Sequence, residues 1–327
     1  MRSYIIRRIL LMIPTVFLTT IILFFGIRLL PGSILDSILA EASYYEESLD
    51  RSALERELGL DVSIIVQYGR WIGVLPQGDG KFSGLLQGDL GRSLRLRIPV
   101  REEIGNRWTA TLELGLLGLI MGQIISVPVG IYSGIRQDTP GDYAARSFAV
   151  MAMAIPGFWL GTLLVVFPSI WWGYMPPMTY VPFLKDPLHN LEMMILPAIC
   201  VGLMMTGTTM RLTRTMMLEV MRQDYIRTAW AKGLKERRVV IRHALKNAMI
   251  PVITVIGLRI PLLISGAVVI EQIFLLPGMG RLIVDATQHR DYTVVNGILL
   301  IFAVFLVFVN LLVDLTYGFL DPRIQYK

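Results

Sequence analysis

Six stretches of this chain are each long and apolar enough to cross a lipid bilayer, and this limits its fold more than any other feature. A helix rises 1.5 Å per residue, so about 20 residues bridge the roughly 30 Å of hydrocarbon. The stretches run approximately Ile9–Ile27, Ala110–Ser133, Ala144–Ile170, Met193–Leu212, Ile250–Phe274 and Val294–Phe319. Hydrocarbon offers no partner to a free N–H or C=O, so each is expected as a helix and the chain as an all-α polytopic membrane protein. Composition agrees: 54% of the 327 residues are hydrophobic and 17% charged, where soluble domains carry about 25% charge. Pro14, Pro128, Pro156, Pro168 and Pro197 fall inside the spans and predict kinks. The first stretch follows Arg2, Arg7 and Arg8, as a signal peptide would. Its apolar run is too long for one and no A-x-A site follows, so it is read as a retained anchor.

The net charge of +6 is concentrated beside the spans, which argues against a nucleic-acid partner and gives the orientation instead. Arg136 and Arg146 flank the loop after the second span. Ten lysines and arginines from Arg211 to Lys246 follow the fourth span, against Glu219, Asp224 and Glu236, and Arg323 and Lys327 end the chain. All lie on the side of the N-terminus, so the positive-inside rule predicts both termini in the cytoplasm. The opposite loop Gly173–Glu192 holds only Lys185 and His189 as bases. Between Pro31 and about Arg107 lies a long loop with an acidic front half and a basic back half. Loops beyond about 60 residues cross regardless of charge, so it is expected outside as a small subdomain. Helical patterns appear near Tyr44–Leu58 and Ser63–Ile72, and "GLLQGDLGRSL" reads as turns. The expected organisation is a cytoplasmic N-terminus and first span (1–30), an extracytoplasmic subdomain (31–108), a five-span core (109–320) and a cytoplasmic tail (321–327).

No Walker P-loop, HExxH or GxSxG occurs, and the spans show no catalytic constellation, which leaves transport ahead of enzymatic chemistry. If ATP drives this chain, another subunit hydrolyses it. Cys200, the single cysteine, lies in an apolar stretch and reads as a packing residue. His289 with Asp285 and Asp291 is one histidine with two carboxylates, a weak metal set better read as a solvated loop, so no metal is expected.

The stretch "RTAWAKGLKERRVVIRHALKNAMIP" (Arg227–Pro251) is basic, yet patterned. Ile226, Ala229, Trp230, Gly233 and Leu234 recur at helical spacing, and Val239, Val240, Ala244, Leu245 and Ala248 continue after Gly233. Two short helices meeting at a helix-ending Gly233 would form a knob for a partner's cleft, with Ala229 keeping its apolar face slim. The alternative is an electrostatic lipid anchor, at about 1 kcal/mol per basic residue. On pattern alone both stand.

The segment "DYIRTAWAKGLKERRVVIRHALKNAMIPV" resembles the EAA loop of ABC-importer permeases, in the form of the dipeptide/oligopeptide/nickel permease family. "YIIRRILLMIPT", "RLLPG", "GDLGRSL", "TATLELGLLG", "IEQIFLLPGMGRL", "RDYTVVNG" and "NLLVDLTYGFLDPRI" match the same family in order along nearly the whole chain. The resemblance implies a type I ABC importer permease fold in the bacterial cytoplasmic (inner) membrane. Two permease subunits, expected as a heterodimer, would form the pore. Two cytoplasmic ATPases holding ATP and Mg would grip the coupling loop, 211–249, and an extracytoplasmic substrate-binding protein would deliver cargo. No cofactor is expected on this chain. Ala229 and Gly233 match the second alanine and the glycine of the EAA pattern, while Arg227 and Thr228 stand where its glutamate and first alanine would be. Coupling is expected of Tyr225, Arg227, Thr228, Ala229, Lys232, Gly233, Leu234, Arg237, Arg242 and His243.

Arg259 lies about 14 Å into the fifth span and is a candidate for attracting a peptide carboxylate along the pathway, with a structural pair to Glu113 or snorkelling as the alternatives. Glu271 and the adjoining "PGMG" read as turn and gate more than as a cargo site. Asp314 is expected to pair with Arg323 or with the arginines of the first span. Met204 and Met205 belong to a methionine-rich run, Met193–Met221, that would suit varied side chains or simply pack. The expected cargo is short peptides. A nickel, metal-chelate or glutathione-type cargo in the same family, or a stand-alone secondary transporter, are the competing readings.

Overall fold

Proline decides where the third apolar stretch turns. The computed structural model describes residues 2–29, 50–57, 59–177 and 179–320, with positions 35 and 39, so residues 44–49 of one expected helix and the Asp314–Arg323 pair lie outside the described side chains and residues. The chain is helical throughout, with no strand among these residues: α1 (Arg2–Arg28), α2 (Arg51–Glu57), α3 (Ile64–Ile72), α4 (Val100–Ile135), α5 (Pro140–Ala154), α6 (Gly157–Trp172), α7 (Pro187–Met221), α8 (Asp224–Ala231), α9 (Glu236–Arg238), α10 (Leu245–Ile273), α11 (Met279–Gln288) and α12 (Tyr292–Leu320). Five of the helical runs have the length and hydropathy of spans, and α5 with α6 adds a sixth if the pair is one broken crossing.

A single kinked span was expected over Ala144–Ile170; instead α5 and α6 are separate helices bent by 96°. Ile155, ahead of Pro156, is extended (φ −77°, ψ 121°), as the proline ring requires of its neighbour, and Pro156 itself (φ −64°, ψ 130°) has no N–H with which to continue the helix. Pro14, Pro128, Pro168 and Pro197, by contrast, are accommodated inside helices.

The described fold comprises two compact units, one of Met1–Ile5, Thr109–Gly280 and Phe308–Lys327, the other of Ile6–Trp108 and Arg281–Val307. In the first, α7 is central: 67% of its apolar window is buried and it packs on α5, α6 and α10. Leu114, Met193, Met194, Cys200, Val201, Met205 and Ile270 form the core around it, so most of the methionine run is packing. Glycine sets how closely α4 approaches α7. A Cβ on Gly122 would lie 2.8 Å from the Gly202 carbonyl oxygen, and one on Gly202 would lie 2.8 Å from that of Gly118. Small residues four apart, here Gly118 and Gly122, are how membrane helices bring their backbones together.

In the second unit only 11% of the α1 window is buried. The end of α1 is held by an aromatic cluster of Phe24, Phe25, Tyr68 and Trp71. Arg28 lies 3.7 Å over the Phe24 ring and donates to Gln67 Oε1 at 2.7 Å. The stretch around residues 85–97 has one 3₁₀ turn, Leu85–Gln87, and otherwise irregular backbone, as its glycines suggested. It is tied to the start of α12 by Asp291, which accepts from Ser93 Oγ at 2.6 Å and from the Val294 N–H at 3.3 Å. Asp291 thus caps a helix, while His289 faces Asp285 at 3.4 Å.

Candidate functional site

The basic segment is built from the inside outward. Gln223 precedes α8, and within α8 Ile226 and Ala229 are 0% and 6% exposed. They pack against Met217, Val239, Val240, Ala244 and Ala248. The apolar face expected to enter a partner's cleft is therefore turned into the chain's own fold, and Ala229 is small because helix packs on helix there. Trp230 and Gly233 of the same expected face stay exposed. What faces outward is Tyr225, Arg227, Thr228, Trp230, Lys232 and Gly233.

The end of α8 shows why a glycine stands at 233. Its N–H donates to the Trp230 carbonyl at 2.9 Å and the Leu234 N–H reaches the Ala229 carbonyl at 3.4 Å. That paired closure is a Schellman motif, and it needs the left-handed backbone that Gly233 adopts, φ +74°. Leu234 then returns to the apolar cluster, while Arg237 and Arg242 stay exposed and His243 is half-buried. The helix beyond runs through a π-helical stretch, Val239–Ala244, before α10. Such stretches shift side-chain register and recur at functional sites; here Val239, Val240 and Ala244 all face inward. Asn247 Nδ2 donates to the Tyr225 hydroxyl at 2.8 Å, bracing α8 on α10. The Arg227–Asp224 pair, 3.4 Å apart with both side chains exposed, contributes little.

A charged anchor unforeseen from the sequence sits beside this segment. Asp142, its side chain fully buried, takes two hydrogen bonds of 2.7 Å from Arg214 Nε and Nη2 on α7. Ser133 Oγ also donates to it, as does the Asp138 N–H at 3.0 Å. The same α4–α5 turn reaches α9 through Arg136 and Glu236, 3.5 Å apart, and the residue that caps the end of α7 through Gln137 and Arg222. Its signal was an acid just inside a helix start, Thr139-Pro140-Gly141-Asp142. Spacing alone could not name Arg214, 72 positions on.

The candidate pathway residues do not gather at one place. Arg259, half-buried on α10, donates from Nη1 to Thr208 Oγ1 on α7 at 3.4 Å. The alternative pairing with Glu113 does not form. Glu113 instead accepts from the Tyr180 hydroxyl at 2.8 Å, the Phe183 N–H at 3.1 Å and Asn190 Nδ2 at 2.9 Å. Burial, with that carboxylate beside it, pushes the Tyr180 phenol above its ordinary range and keeps it a donor. Met204, one turn before Thr208, is 43% exposed, whereas Met205 is in the core. Glu271 lies twelve residues beyond Arg259 on the same helix, about 18 Å away along its axis. It is 1% exposed, accepts from Thr111 Oγ1 at 2.6 Å, and is wrapped so closely by Gly278 that a Cβ there would overlap its carboxylate. Thr111 in turn accepts from the Met279 N–H at 2.8 Å. Glu271 thus organises the turn between α10 and α11.

Residues 126–326 match the family described as "Binding-protein-dependent transport system inner membrane component", a match that holds the basic segment 211–249. The chain is a member of that family. It is 40% identical, over 100% of both chains, to the dipeptide transport system permease protein DppB of Escherichia coli (strain K12). Identity is 39%, again over 100% of both chains, to the oligopeptide transport system permease protein AppB of Bacillus subtilis (strain 168). In fold it is similar to a crystal structure of an amino acid ABC transporter with histidines, at TM-score 0.50 and 13% identity, over 66% of this chain and 94% of the other. The chain is thus a multi-pass membrane component of a transport system, not an enzyme. Membership in this permease family implies partner ATPases and a substrate-binding protein.

Proposed function

We propose that this permease forms half of the pore of an ATP-driven importer for short peptides in the cytoplasmic membrane. The observation that carries the reading is the capped, outward-facing α8–Gly233 corner on a buried base, within a chain alike over its full length to dipeptide and oligopeptide permeases. In this reading the chain crosses six times, with α5 and α6 as one crossing and both termini in the cytoplasm. Residues 31–108 form the extracytoplasmic subdomain. A second, different permease subunit completes the pore, and ATP with Mg is held by the ATPases while this chain binds no cofactor. Coupling passes through Tyr225, Arg227, Thr228, Trp230, Lys232 and Gly233, with Arg237 and Arg242 at the rim and Ala229 and Leu234 as their seat. Arg259 faces the pathway and meets a cargo carboxylate.

Purification of the intact complex, with identification of what its binding protein carries, tests the assignment. Peptides and two copurifying ATPases are expected; transport by this chain alone on an ion gradient would sink it. A nickel chelate as cargo would move the protein to the other branch of its family. For the corner, a Cβ at Gly233 meets nothing within 4 Å. Gly233→Asp is therefore expected to leave the chain folded, at a strain of about 1–2 kcal/mol, and to abolish ATPase association and uptake. For the pathway, Arg259→Gln should lower peptide uptake several-fold at unchanged expression, and normal uptake removes that role.

A further inference from the structure

Three residues that line a single cavity each carry a buried side-chain polar atom with no hydrogen-bond partner among the described residues. The atoms are Arg70 Nε, Trp71 Nε1 and Asn296 Oδ1, and Asn296 is only 3% exposed. The cavity, of about 700 Å³, lies wholly within one unit, between the end of α1, α3, the 77–97 stretch and the first turn of α12. Native chains satisfy nearly all such atoms, so three around one space define what would fill it. Two of them donate, one from a guanidinium, and one accepts. The complementary group carries anionic acceptor oxygens next to a hydroxyl or ammonium donor.

Charge and position narrow the class further. Arg28, Arg70, Arg92 and Arg97 line the cavity against Asp79 and Asp89. Both carboxylates are already occupied locally, Asp79 by the Lys81 N–H at 3.0 Å and Asp89 by the Gly91 N–H at 2.9 Å and by Ser83. Four guanidinium groups against two carboxylates leave the lining net positive, which favours an anion. The end of α1 lines the cavity through Phe24, Ile27 and Arg28, and the flank of that helix is lipid-like in character: Phe17, Leu18 and Ile22 are 54%, 57% and 61% exposed. A span's end is where phospholipid headgroups lie. We propose that this cavity binds a phosphodiester headgroup, with phosphate oxygens on Arg70 and Trp71 and a headgroup hydroxyl or ammonium on Asn296. This site is independent of the peptide pathway and of the coupling corner.

Native mass spectrometry of the purified complex, titrated with dioleoyl phosphatidylglycerol, dioleoyl phosphatidylethanolamine and, as the phosphate-free control, dioleoylglycerol, tests the proposal. Retention of phospholipid but not of dioleoylglycerol is expected, weakened about tenfold by Arg70→Gln, by Trp71→Phe and by Asn296→Leu. Trp71→Phe takes a ring from the aromatic cluster along with the N–H. Asn296→Leu, which keeps the branched shape and removes the polar group, is therefore the variant that decides if Arg70→Gln fails to fold. Competition by inorganic phosphate or sn-glycerol 3-phosphate, with the same sensitivity to the variants and no lipid retained, would keep the site and make its ligand soluble phosphate. Lipid retention indifferent to these variants overturns the proposal, as does displacement by dialanine but not by phosphate.

Discussion

Glu271 shows how one residue can be fixed by its neighbours' lack of bulk. A carboxylate this buried is tolerable only when its oxygens are hydrogen-bonded, and Thr111 supplies one such bond while taking another from Met279. Gly278 supplies the room. Thr111→Val, which keeps the shape but removes the relay, is expected to cost about 1–3 kcal/mol, and Thr111→Ser well under half of that. Gly278→Ala should be worse than either, since its methyl overlaps the carboxylate and the turn between α10 and α11 must open. Thermal unfolding of the solubilised chain ranks the three; a Gly278→Ala protein with an unshifted melting temperature would mean that Glu271 sits elsewhere. The sequence marked Glu271 as a motif position beside "PGMG", and turn-shaping was the reading it favoured. That Thr111 joins the two was out of reach, because nothing local links positions 160 apart.

At the scale of elements, positions were legible while lengths and approaches were not. The apolar runs mark where helices lie, but α4 begins ten residues before Ala110 and α7 ends nine beyond Leu212, because hydrocarbon thickness sets the apolar run and not the helix that continues into water. Pro156 was read as a kink and is a break, since a proline with an extended residue ahead of it and a glycine after it stops one helix and starts another. Gly118 and Gly122, four apart in one helix, were not singled out in the sequence, and their close approach to Gly202 across α4 and α7 emerges only in three dimensions. They give a steep prediction. Gly202→Leu would force the two backbones apart and expose the core around Met193 and Met194, so loss of folded protein on size-exclusion chromatography is expected. Leu196→Ala, a half-buried position on the same helix, should be tolerated far better, at about 1–3 kcal/mol. Equal tolerance of both would show that the crossing does not depend on glycine.

At the scale of the whole molecule, the proposed coupling role of α8 raises the question of how motion there would reach the spans, and the two ion pairs near it differ in kind. Arg136 and Glu236 are 56% and 46% exposed and 3.5 Å apart, a geometry worth at most about 0.5 kcal/mol. Asp142 and Arg214 are 0% and 18% exposed with a bidentate bond, and removing one partner leaves a charge stranded in a dry place, at about 3 kcal/mol. The second pair also joins the α4–α5 turn to α7, the helix on which the first unit packs. The basic loop's charge surplus suggested a lipid anchor as readily as a docking site, because net charge does not reveal which side chains are inside. The structure separates them: Asp142 and Arg214 lie within, Lys232 and Arg227 without. Asp142→Asn is therefore expected to lower both the melting temperature and ATP-dependent uptake in proteoliposomes. Glu236→Ala is expected to leave both within error, and the double variant Asp142→Asn/Arg214→Gln to recover part of the stability by removing the stranded charge. Recovery of stability without recovery of uptake would locate the transmission of motion in this pair, whereas uptake that follows stability through all three variants would reduce it to a scaffold.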